Sequence, residues 1–76
     1  MAIIRSLEPG SSNVRENRTE VDATFQVIES AQQGKLLHIA TYGSDSRKSE
    51  PKVSQVLQLN KAMALQLSEI IRRTFE

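Results

Sequence analysis

Three cations fall within six residues of one another: Arg47, Lys48 and Lys52, in the stretch SRKSEPK. Cations so placed on a loop can hold phosphate, which gives affinity without reading a base. Tyr42 precedes them, and an aromatic ring at the base of such a loop can stack on a nucleobase. Asp45 and Glu50 offset part of this charge. The same residues therefore also describe a solvated hairpin tip. With one Tyr, two Phe and no Trp, a rich stacking platform cannot be built within one chain.

Other chemistries lack their residues. Nucleophilic catalysis needs a nucleophile, a base and an orienting group. The one histidine, His38, lies in a strand-like run, and there is no Cys. Thiolate metal sites and disulfides are thereby excluded, and a single His cannot build a zinc site. Gly10, Gly34 and Gly43 are scattered, so no phosphate-cradling glycine loop exists. No carboxylates are paired at i, i+3 or i, i+4 spacing within the helix-like run. The chain reads as a non-enzyme that needs no metal and no cofactor.

The charge balance is 10 basic to 9 acidic residues, a net of +1. Whole-molecule attraction to nucleic acid or to an anionic membrane is not supported, so any such affinity must come from local segregation of charge. No apolar run approaches the roughly 20 residues of a membrane span. The apolar part of MAIIRSLEPG is too short for a secretory signal. The expectation is a cytoplasmic protein with no membrane partner.

The elements that would position the loop are legible from periodicity. Residues 1–21 read as an N-terminal arm. AIIRSLE alternates like a short edge strand, PGSSN is a cluster of turn formers, and RENRTE is polar and balanced in sign. Residues 22–76 read as one domain. DATFQVIES and KLLHIATY are β-rich runs joined by AQQG, which predicts an antiparallel hairpin of strands 23–30 and 35–42. GSDSRKSEP is a loop, and VSQVLQL is a third alternating strand. Its Val53, Gln55, Leu57 and Leu59 are expected to face a helix while Ser54 and Gln58 point away. Asn60 is a good helix N-cap. KAMALQLSEIIRRTFE has no Gly or Pro, and it places Met63, Leu67, Ile70, Ile71 and Thr74 on one stripe. The expected fold is α+β: an antiparallel meander of three to four strands, closed by one C-terminal helix packed on one sheet face. The other face, with Thr24, Gln26, His38 and Tyr42, is expected to be free.

Seventy-six residues with 38% apolar content give a marginal core. Without disulfides or metal, self-association is the remaining route to stability. Leu65 falls nearly opposite the helix stripe, and Ile71 and Phe75 extend the apolar surface to a further side. A helix apolar on more than one side is covered on more than one side. A homodimer is therefore expected, with Leu65, Ile71, Phe75, Ile3 and Ile4 at its interface.

The run GKLLHIATYGSDSRKSEPKVSQVLQLNKAMALQLSEIIRR, residues 34–73, resembles the C-terminal half of transcriptional positive cofactor four and its bacterial relatives. The likeness lies in the order strand, charged loop, strand ending in a Leu-Asn cap, and amphipathic helix. It implies four antiparallel strands and a helix, dimerisation through the helix, and single-stranded DNA on the sheet. The stretch also looks like short bacterial proteins that carry a methionyl-tRNA formyltransferase-like label, but no residue here suits folate binding or formyl transfer. The candidate nucleic-acid contacts are Tyr42, Arg47, Lys48 and Lys52. The competing expectation is a protein-interaction module or accessory subunit that offers a sheet edge to a protein partner.

Overall fold

The structure is a computed structural model that describes residues 1–43 and 52–76. β2 (Ala23–Ser30) and β3 (Gly34–Tyr42) form the hairpin, pairing in unbroken register from Ala23 opposite Thr41 to Ser30 opposite Gly34. Three residues turn the chain. The Ser30 hydroxyl accepts from the backbone N–H groups of Gln32 and Gln33, at 3.2 and 3.1 Å. Gly34 then takes φ +74, the left-handed position that a three-residue hairpin loop needs and that glycine fills without strain. β4 (Val53–Leu59) pairs antiparallel with β3.

The fourth strand departs from the expected meander. β1 (Ala2–Ile3) lies outside β4 and runs parallel to it, so the sheet is mixed and its order is β1-β4-β3-β2. Ile4 extends the pairing by donating its N–H to the Gln58 carbonyl at 2.9 Å. The reason is chain length. Residues 4–22 carry the chain from the β4 edge to the β2 edge, a long connection of the kind that permits parallel pairing, whereas a tight hairpin imposes antiparallel pairing. The arm is also tied to the helix, where the Gln66 side-chain amide donates to the Leu7 carbonyl at 2.7 Å.

α1 spans Lys61–Phe75. Asn60 caps it from an extended conformation, its side-chain oxygen accepting from the Met63 N–H at 3.0 Å. Arg72 and Arg73 stand in the last turn, where the helix dipole favours cations, and both pair with Glu69. These pairs are exposed and contribute little to stability. The helix packs on the sheet against β3 and β4.

The register sorts the sheet into two faces. One carries Phe25, Val27, Leu37, Ile39, Leu57 and Leu59; the other carries Thr24, Gln26, Leu36, His38, Ala40, Val56 and Gln58. The first was expected to be a helix-covered core along its whole length. Only its Leu59 end is covered, at 1% exposed, whereas Leu57 is 39%, Val27 64% and Phe25 76% exposed. A single helix that meets only β3 and β4 cannot roof a four-stranded sheet. Val53 departs for a local reason: the register shifts between Thr41 and Tyr42, so Val53 stands opposite Tyr42 and is exposed. The second face holds the buried Leu36 and Ala40. Among the described residues these two and Leu59 are the buried hydrophobic side chains.

Candidate nucleic-acid interface

Two strand ends hold the base of the charged loop. The Tyr42 N–H donates to the Asp22 carbonyl at 3.0 Å, which extends β3's pairing beyond the start of β2. The Gly43 N–H reaches the Lys52 carbonyl at 3.4 Å, so the two ends of the loop are joined and the exposed Lys52 stands beside Gly43. Arg47 and Lys48 lie outside the described residues.

Tyr42 is half-buried, and its hydroxyl meets the Thr24 hydroxyl at 3.1 Å across the hairpin. Strand alternation puts both on one face, and the contact holds the phenol over β2. Farther along the same face, the Gln58 side-chain amide and His38 Nδ1 are 2.8 Å apart. His38 and Gln58, with Val56, line an open pocket of about 360 Å3 together with Met1, Ala2 and Ile3. This face, expected to be free, thus holds the buried Leu36 and Ala40; it is hydrogen-bonded through Tyr42 and Thr24 at one place and through His38 and Gln58 at another.

A larger cleft, of about 510 Å3, opens at the loop end of the sheet. Asn17, Arg18 and Thr19 of the arm line it together with Tyr42, Ser54 and Gln55 from the ends of β3 and β4. Arg18 thus joins Tyr42 and the loop base as a further cation. Sequence reading did not single it out, because RENRTE is balanced in sign and the chain folds it back by a connection with no periodicity. Of the expected contacts, the structure brings Tyr42 and Lys52 to the same end of the sheet. Of the expected interface residues, Leu65, Ile71 and Phe75 are exposed on the helix, whereas Ile3 and Ile4 sit beside β4 of their own chain.

Among the described residues no group of three or more His, Cys, Asp or Glu side chains is placed to hold a metal, and no helix is long and apolar enough to cross a membrane. Compared with family models, curated proteins and solved structures, the chain finds no match in any of the three.

Proposed function

We propose that the chain is a small non-enzymatic binding protein that takes single-stranded nucleic acid at the loop end of its sheet. The observation that carries this reading is the open, mostly polar cleft lined by Arg18 and Tyr42, with the backbone of the exposed Lys52 joined to Gly43 at its margin. Arginine and lysine supply phosphate contacts, and the tyrosine supplies a stacking surface of the kind that single strands, with their unpaired bases, can use. Arg47 and Lys48, the other two cations expected to contact phosphate, fall between Gly43 and Lys52 in the sequence and lie outside the described residues. The resemblance to the positive cofactor four family points to the same ligand class.

The test is fluorescence polarisation with labelled single- and double-stranded oligonucleotides at low and high salt. The single strand is expected to bind more tightly, with an affinity that falls steeply as salt rises. Arg18→Ala should flatten the salt slope, and Tyr42→Ala should weaken binding by roughly 5- to 150-fold, the loss of about 1–3 kcal/mol of stacking. Binding that ignores salt, or that survives both substitutions, removes the reading.

A second reading, a protein-interaction module, is favoured by β2. It is an outer strand of eight residues, its one charged side chain is Glu29, and its outer backbone is open to an added strand. Recovery of a protein partner from the native host after nuclease treatment, lost on substitution of Val27 by proline, would support it over the first.

A further inference from the structure

One ridge of the helix outruns its cover. Met63, Leu67, Ile71 and Phe75 follow one another at intervals of four, so they form a single ridge along α1. Met63 and Leu67 are half-buried, but Ile71 is exposed and Phe75 is 81% exposed. Cover thins along the last two turns: Ile70 is 41%, Ile71 48% and Phe75 81% exposed.

The sheet has the converse defect. Phe25, Ile39 and Leu57 stand opposite one another across three strands, with Val27, Leu37 and Leu59 in the adjacent row. Beside the second row, Val27, Leu37, Leu59 and Ala64 of the helix line an apolar cleft of about 270 Å3, flanked by Lys35 and Lys61. The chain therefore carries an uncovered aromatic knob and an empty apolar socket that its own helix does not fill.

We infer that a second copy of this chain fills both defects reciprocally: the Ile71–Phe75 end of each helix docks against Val27 and Leu37 at the cleft beside Ala64, above the already buried Leu59, and on the Phe25 row of the other. Such an exchange is two-fold symmetric, because the same two patches meet twice. Charge agrees with it, since Glu76 follows Phe75 and would arrive between Lys35 and Lys61. Leu65, on the opposite side of the helix, lies outside this interface. The inference stands apart from the nucleic-acid reading, because the polar face takes no part in it.

Sedimentation of the full chain at micromolar concentration is expected to give twice the 8.5 kDa of one chain. Val27→Lys and Phe75→Glu should each be monomeric alone. Mixed, they should recover a dimer, because one wild-type contact and one Lys–Glu pair are then formed. Leu65→Glu should remain dimeric. A folded monomeric wild type, a dimeric Val27→Lys variant, or failure of the mixture to associate overturns the arrangement. The chain has no Cys, so a Val27→Cys/Phe75→Cys variant gives a second readout that does not depend on disruptive charges. Oxidation should yield a covalent dimer on a non-reducing gel, and a chain that stays at monomer mass contradicts the docking.

Discussion

Gln58 and His38 stand opposite each other on β4 and β3, and their side chains meet at 2.8 Å, Nε2 to Nδ1. The amide N–H donates to Nδ1, which leaves the neutral imidazole carrying its proton on Nε2. Both residues are half-buried. Their pairing is thus a constraint on register as well as a polar contact, because a slip of β4 by one residue would turn Gln58 to the face opposite His38.

Removing one partner should cost more than removing both. His38→Ala or Gln58→Ala leaves a part-buried polar group unsatisfied and is expected to cost about 1–2 kcal/mol, whereas His38→Leu/Gln58→Leu should be nearly neutral. Urea melts of the three variants measure this. Equal losses in all of them would mean that the hydrogen bond contributes nothing beyond packing.

Leu59 should outweigh Leu57 within one chain. Alternation alone ranks the two alike, but Leu59 is 1% and Leu57 39% exposed. Leu59→Ala is expected to cost about 2–5 kcal/mol and to endanger a domain of this size. Leu57→Ala should cost less at low protein concentration. Its penalty should grow with concentration if a second copy covers the Phe25 row, because association then adds to the stability of the wild type. Thermal melts across a dilution series separate these outcomes.

The strand-to-helix junction should depend on one side chain. Asn60 satisfies the Met63 N–H and begins the helix directly after the buried Leu59. Asn60→Ala is expected to cost about 0.5–2 kcal/mol, with Asn60→Asp or Asn60→Ser restoring most of it. Circular dichroism melts report the loss. A cost shared by all three substitutions would point to a role for the side-chain amide other than capping.

Much of the fold was legible because local rules generate it. Alternation placed β2 over residues 23–30 without error and β3 to within one residue. The missed residue was Gly34, which reads as a turn former yet begins the strand with its left-handed backbone. Asn60 and the uninterrupted run of helix formers after it determined α1. The basic loop and Tyr42 at its base could be seen as candidate phosphate and stacking contacts, since residue type and spacing suffice for that.

Only the tertiary structure decided which apolar positions are covered. Phe25, Val27 and Leu57 carry the same alternating signal as Leu59, and Ile70 and Ile71 the same helical signal as Met63 and Leu67. Periodicity says which side of an element is apolar, but not how far its neighbour extends. The parallel placement of β1 and the approach of Arg18 to Tyr42 were likewise beyond the sequence. Both depend on how a long, aperiodic connection crosses the molecule, and no local propensity encodes that path.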